Sequence, residues 1–376
     1  MDDFLLMLKD MQELYPKTAD GKSVYAIAIP SDKWDISFYS PFYTWANQKK
    51  HGSTAFYTTD DMTYVNRFDD EGPFWNAIEF YRKAYKLGIL DPDSFALTEA
   101  DMKAKATEGR LLYITASYQT GSLGEGKGFM TLPRNWGKSV VSTESLDLGG
   151  YGSFPAGFAI NKKTEMLDEC MKYLDLIHSE EGANLIYNGI EGEHYTVDEN
   201  GVRTVTQKAL DLYFATEGEE WEKTGLYTAE TSHFCALAAG GIASDGKPMF
   251  LMFDNELRKA NLTDVQKDYC DHYGVTVPIE AQIQLQEKYD MGEDNYDRLA
   301  ASFLPAGTDD TKRIEAALME YAESISDDLI YASDAEYEAL VANVKAEFKA
   351  LGLDTLNEYY KEHWNEAYDK ADAFLK

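Results

Sequence analysis

Cysteine is scarce in this chain, and so is positive charge. Cys170, Cys235 and Cys270 form an odd, widely spaced set that implies no disulfide framework. Six histidines are scattered along 376 residues, with no His-Glu-x-x-His and no Cys-x-x-Cys, so the usual transition-metal arrangements are excluded and no cofactor is expected. There is no Gly-x-Ser-x-Gly elbow for an acyl-transfer nucleophile. Bases number 35 against 66 acids, a net charge of −31. Such a field repels phosphate backbones and anionic lipid, which argues against nucleic acid and membrane surfaces as partners. No apolar run approaches the length needed to cross a bilayer, and the start Met-Asp-Asp-Phe has neither a basic n-region nor an apolar h-region. Gly-Glu-Gly-Lys-Gly within 121–128 is neither a phosphate-binding loop nor a dinucleotide fingerprint, and Asp91-Pro-Asp-Ser lacks the glycine and distal glutamate of a calcium loop.

What is plentiful is apolar and aromatic. Hydrophobic residues make up 44% of the chain, enough for a sizeable core and more than one domain. Aromatics reach 13%, with 26 tyrosines, an excess that suits a surface built to stack on flat faces. In chain order, Phe4, Leu5, Leu8, Met11 and Leu14 form a helical stripe behind Asp2 and Asp3. Ser23–Ile29 alternates towards a strand, and an aromatic loop follows with Trp34, Phe38, Tyr39 and Ser40-Pro-Phe-Tyr-Thr-Trp45. Residues 56–68 predict a strand pair, Pro73 opens a helix that stops at Gly88, and Thr98 with Asp101 predicts a capping box. Leu111–Tyr118 predicts a strand whose carboxyl end, where ligands bind in open α/β sheets, carries Tyr118. Near the C-terminus, Ser333-x-x-Glu336 predicts a second capping box, and two amphipathic helices follow, parted at Gly352.

The most specific stretch is 149–195. Phe154–Ile160 is an apolar run punctuated by glycine, Asn161–Thr164 is a polar turn, and Met166, Leu167, Cys170, Met171, Leu174 and Ile177 recur at helical spacing. Cys170, on that stripe, is expected to be a small buried hydrophobe. A second short helix begins at Ser179 and ends at Gly189, followed by Asn-Gly-Ile-Glu-Gly-Glu-His-Tyr and a hairpin around Asp198-Glu-Asn-Gly201.

Strand, turn, an amphipathic helix ending in Ser-Glu-Glu-Gly-Ala, then Asn-Gly-Ile-Glu-Gly-x-His-Tyr resembles the extracellular solute-binding proteins of family 1. These are carbohydrate-capturing subunits of ATP-driven importers, distantly like the maltose-binding proteins. The resemblance implies an α/β, type 2 periplasmic-binding-protein-like two-lobe fold with most of the first lobe missing. It divides the chain into residues 1–132 (first part of the second lobe), 133–192 (the rest of the first lobe, with crossover strands) and 193–376 (second lobe, continued). It also implies a signal peptide, a lipid-attached cysteine and further βα units upstream. The expectation is therefore an N-terminally truncated, extracellular or periplasmic member that, lacking one wall of its cleft, binds sugar weakly or not at all.

The function that follows is capture of a sugar in an aromatic-lined interlobe cleft and delivery to ABC permease subunits, without catalysis. Candidate contacts are Trp34, Phe42, Tyr43, Trp45 and Asn47 in the aromatic loop, Tyr118 after its strand, and Trp136 beyond the Leu-Pro133 segment. Tyr151, Glu191 and His194, within the 149–195 stretch, complete the set. Flat rings would cover the C–H faces of a pyranose while acids and amides take its hydroxyls. Phe42 and Trp45 read equally well as core residues at the start of a helix. The alternative from another class is a glycoside hydrolase using Glu191 and Glu193 as its acid and base.

Overall fold

A computed structural model describes residues 1–35, 37–38, 42, 48–50, 54–58, 63–114, 128–130, 159–213, 223, 237, 239–281, 284, 300, 303–305 and 307–375. In chain order the principal elements are α1 (Asp2–Leu14), β1 (Gln48–Lys50), β2 (Ala55–Thr58), β3 (Tyr64–Asn66), α2 (Pro73–Lys86) and α3 (Glu99–Thr107). There follow α4 (Leu167–Ile177), α5 (Glu180–Asn188), β4 (Tyr195–Val197), β5 (Arg203–Val205) and α6 (Gln207–Tyr213). The last are α7 (Asn255–Ala260), α8 (Asp264–Tyr273), α9 (Asp309–Tyr331), α10 (Asp334–Ala350) and α11 (Leu353–Leu375).

The chain divides into two compact units. One comprises Met1–Leu123, Gly128–Val141 and Leu285–Lys376, and the other Gly124–Lys127 and Ser142–Gln284. This division differs from the one read off the sequence, where residues 193–284 stay with the C-terminal helices. The physical reason is a shared core: Ala183 and Tyr187 of α5 pack with Ala209 of α6, Met249, Phe250 and Met252. The Tyr187 hydroxyl donates to the Leu237 carbonyl, and the Asn188 amide bridges the Met249 carbonyl and the Leu251 N–H.

The first unit is organised on aromatic packing. α1 buries Phe4, Leu5 and Leu8 against Ile27, Ile29 and the apolar face of α2, and α9, α10 and α11 close the core with Leu318, Leu329, Phe348 and Leu356. Phe68 sits 4.6 Å from Phe348, and Phe38 lies 5.2 Å from Tyr81, centroid to centroid. Pro73 occupies the first turn of α2, where no N–H is needed, and Gly88 at φ 71° ends the helix region. Arg82 of α2 is buried; its guanidinium donates to the Ile330 and Ala332 carbonyls at the end of α9 and to Asp334 at the start of α10. One cation thus serves a helix C-terminus, where positive charge is favoured, and the next helix's first turn.

Local signals form largely as the sequence predicts. β2 and β3 pair antiparallel with Phe56 opposite Val65, and β4 and β5 form the hairpin with Thr196 opposite Thr204. Thr98 and Asp101 make a complete capping box. Ser333 does not: its hydroxyl donates to the Glu336 carboxylate and leaves the backbone N–H groups of the first turn of α10 uncapped by it. The α4 stripe also differs, since Ile177 alone is buried while Met166, Leu167 and Met171 are exposed and Cys170 is half-buried. α5 meets α4 at its C-terminal end, so burial is confined to that end. Gly182 permits the approach, because a Cβ there would lie 1.9 Å from the Leu176 carbonyl oxygen.

Candidate functional site

Within the first unit, three stretches run parallel and end together. Tyr25 bridges Leu111, and Ile27 bridges Leu90, both parallel. The Tyr25 N–H donates to the Arg110 carbonyl at 2.9 Å, the Tyr113 N–H to the Ala26 carbonyl at 2.8 Å, and the Asp91 N–H to the Ile27 carbonyl at 2.8 Å. Their carboxyl ends, at Ile29, Asp91 and Tyr113, define one edge, the side on which open α/β sheets take ligands. From Ile29 the chain passes through Pro30 and a tight turn at Ser31–Lys33 into the aromatic segment 34–47. From Tyr113 it runs towards Tyr118. Two of the segments expected to touch ligand therefore leave the same edge. Tyr43, Trp45, Asn47 and Tyr118 themselves, with Trp136 and Tyr151, lie outside the described residues.

Two candidates in the aromatic segment are core residues and not open ring faces. Trp34 is 4% exposed and Phe42 0% exposed. Trp34 stacks on Phe38 at 5.0 Å with 24° between planes, and its Nε1–H donates to Ser326 Oγ of α9 at 3.1 Å. Phe42 meets Phe80 and Tyr81 edge-on at 5.2 and 5.7 Å. The cause is periodicity: positions 34, 38 and 42 repeat every fourth residue, the spacing of one helical face, and that face turns towards α2. The spacing is visible in the sequence and was the signal for core.

In the second unit the turn at 190–195 gathers Glu191, Glu193 and His194. Gly192 takes φ 80°, and its N–H donates to the Tyr195 carbonyl at 2.7 Å. His194 is buried, and its Nδ1 accepts the Ile190 N–H at 3.1 Å, so the ring proton sits on Nε2. Thr206 clamps the same turn, its hydroxyl donating to the Glu193 carbonyl and its N–H to the His194 carbonyl. His194 thus holds the backbone of the turn through Nδ1. Glu191 is exposed on the turn.

The hydrolase alternative needs a carboxyl group whose pKa is raised so that it stays protonated. Glu193 is not that group: it is solvent-exposed and pairs with Lys208, whose hydrogen bond and charge hold the carboxyl below the usual glutamate range. Among the described residues no group of three or more His, Cys, Asp or Glu is placed to hold a metal ion, and no helix is long and apolar enough to cross a membrane.

Sequence reasoning missed the third exit from the parallel edge. Asp91 is fully buried, and Lys105 of α3 donates to its carboxylate at 2.8 Å and to Asp93 at 2.8 Å. Burial opposes the charge on Lys105, but hydrogen bonds to Asp91 and Asp93 outweigh it and raise the ammonium pKa. The same hydrogen bond from Lys105 holds the Asp93 carboxyl low. No local signal links residues fourteen positions apart, so the clasp is visible only in the fold.

The fold of the chain, with parallel stretches in the first unit and three long helices at its C-terminal end, is similar to that of a solved solute-binding protein. A solved structure of an HMO-binding, ABC-transporter-associated solute-binding protein from Bifidobacterium longum infantis is similar to it, with a TM-score of 0.54 and 14% sequence identity, over 97% of this chain and 70% of that one. No family of proteins matches the chain by sequence profile, and no curated protein matches it by sequence.

Proposed function

We propose that this chain is the solute-binding component of an ABC importer that captures a sugar or oligosaccharide, without turnover, and presents it to permease subunits outside the cytoplasmic membrane. The observation that carries the reading is fold similarity, spanning nearly the whole chain, to a solute-binding protein of an ABC transporter. The parallel edge supports it, because the segments bearing Tyr43, Trp45 and Asn47 on one side and Tyr118 on the other both leave from that edge. In this reading Trp45 and Tyr118 stack on the apolar faces of pyranose rings, and Asn47 takes hydroxyl groups. The excess of 66 acids over 35 bases favours a neutral or cationic solute over an anionic one.

The test is saturation-transfer difference NMR, which reads weak as well as tight binding, with maltotetraose and lacto-N-tetraose as neutral probes. Transfer to pyranose C–H protons is expected with at least one probe, and Trp45→Ala and Tyr118→Ala should each weaken it at least tenfold with unchanged circular dichroism. Absence of transfer from the wild-type chain to either probe would refute sugar capture. Loss of fold in both variants would assign the two rings to the core.

A further inference from the structure

The loop Asp91–Thr98 is tied down more heavily than a connection between a strand end and a helix requires. Several of its hydrogen bonds go to one neighbour, the stretch 27–32. Ser94 Oγ accepts the Ile29 N–H at 3.2 Å, and the Phe95 N–H donates to the Ile29 carbonyl at 2.9 Å. The Leu97 carbonyl accepts both the N–H of Ser31 at 2.8 Å and its hydroxyl at 3.0 Å. The Glu99 N–H, opening α3, donates to Asp32 Oδ1 at 2.8 Å. Within the loop, the Asp93 N–H donates to Asp91 Oδ1 at 2.9 Å and the Ser94 N–H to the Asp91 carbonyl at 3.0 Å. Phe95 takes φ 69°, a left-handed conformation that a bulky side chain adopts only when its surroundings impose it. Its ring is held between Phe38 and Tyr331, at 6.2 and 6.1 Å.

We infer that Lys105 is a positioning residue: by clasping Asp91 and Asp93 it fixes the loop Asp91–Thr98, and the loop fixes the stretch 29–34 from which the aromatic ligand segment departs. The inference rests on the proposed sugar-capture reading for its functional half. The buried Asp91 carboxylate is paired with the ammonium of Lys105 and needs it, since an unpaired buried charge is costly. Without that charge the Asp91 carboxylate moves towards water, and the hydrogen bonds made by Ser94, Phe95 and Leu97 move with it. Everything downstream of Ile29 then loses a fixed origin. Lys105 touches no ligand in this account; its effect on affinity passes entirely through segment 29–34.

The experiment compares wild type with Lys105→Met, Lys105→Arg and Asp93→Asn. Hydrogen exchange is read peptide by peptide, and saturation-transfer titration uses the neutral tetrasaccharide that the wild type binds best. Lys105→Met should raise exchange of residues 29–34 and 94–99 at least tenfold while α9–α11 keep wild-type protection, and should weaken binding at least fivefold. Lys105→Arg, which keeps the charge, should restore most of both. Asp93→Asn, which removes only the exposed partner, should raise exchange by less than Lys105→Met. Unchanged exchange at 29–34 in Lys105→Met overturns the inference whatever the sugar result, and increased exchange with unchanged affinity overturns the positioning role. Should Lys105→Met fail to fold, the Asp93→Asn and Lys105→Arg comparisons decide in the same way. If the wild type binds no probe, the sugar reading fails and the functional half fails with it, while the exchange data still decide the structural half.

Discussion

The buried ion pair of the second unit makes a quantitative prediction about acid. Arg203 of β5 donates from Nε to Asp245 Oδ2 at 2.7 Å and from Nη2 to Oδ1 at 2.9 Å, and its own N–H reaches Oδ2 at 3.1 Å. The Asp245 side chain is 7% exposed. Burial alone would raise its pKa, but the hydrogen bonds from the Arg203 side chain and from the Lys247 and Arg203 N–H groups outweigh it and hold the carboxyl at about 2, against an ordinary 3.8. A depressed folded pKa means stability that is complete above about pH 4 and lost as the pH falls towards 2. At ~1.4 kcal/mol per pH unit of difference, the carboxylate contributes about 2 kcal/mol at pH 7, roughly half of that at pH 3 and little at pH 2. The perturbation is Asp245→Asn, which removes the ionisation. The assay is hydrogen exchange of peptides covering 196–213 and 241–253, corrected for intrinsic rates, in both proteins from pH 7 to pH 2. The wild-type advantage should shrink by about 2 kcal/mol across that range, nearly all of it below pH 4. An advantage that stays constant with pH would refute the assignment of the low pKa to this pair.

Two further perturbations separate packing from ligand contact. Gly182→Ala puts a Cβ 1.9 Å from the Leu176 carbonyl oxygen, a backbone clash that no rotamer relieves. It should destabilise the α4–α5 junction by about 2 kcal/mol or more, measured as lost exchange protection in residues 176–188. Trp34→Phe removes the indole hydrogen bond to Ser326 and should cost about 1 kcal/mol in urea unfolding of the first unit, whereas Trp34→Ala should cost about 3–5. Trp34→Phe with unchanged exchange of residues 29–34 should leave sugar affinity unchanged, and a loss of affinity at unchanged exchange would return that ring to the ligand site.

The parts of the fold legible in the sequence are those whose causes are local. A threonine three residues before an aspartate caps α3 because both groups reach across one helical turn. Asp198 and Gly201 close the β4–β5 hairpin through bonds that span four residues. Ser333 shows the limit of even this rule. The pattern is present, but Glu336 lies within reach of the hydroxyl itself and takes it, so sequence spacing alone did not fix the acceptor. Ties between distant positions left no trace: Arg82 finds Asp334 and the carbonyls ending α9, Arg203 finds Asp245, and Lys105 finds Asp91. Each is a buried cation matched to acceptors that become neighbours only after folding, which is also why residues 193–284 were assigned to the other body.

Aromatic residues carry the same lesson into the candidate site. A ring is informative about ligand only when its face is open, and composition cannot report openness. Trp34, Phe38 and Phe42 share a four-residue repeat and are consumed by the core, where Phe80, Tyr81 and Phe95 meet them. The burial of Trp34 and Phe42 takes two of the candidate rings out of contention as open faces. The sugar-capture reading therefore rests on fewer rings than the aromatic richness of the whole chain offers. Under the proposed positioning role, Asp91, Lys105 and the strained backbone at Phe95 hold the edge from which the aromatic segment departs.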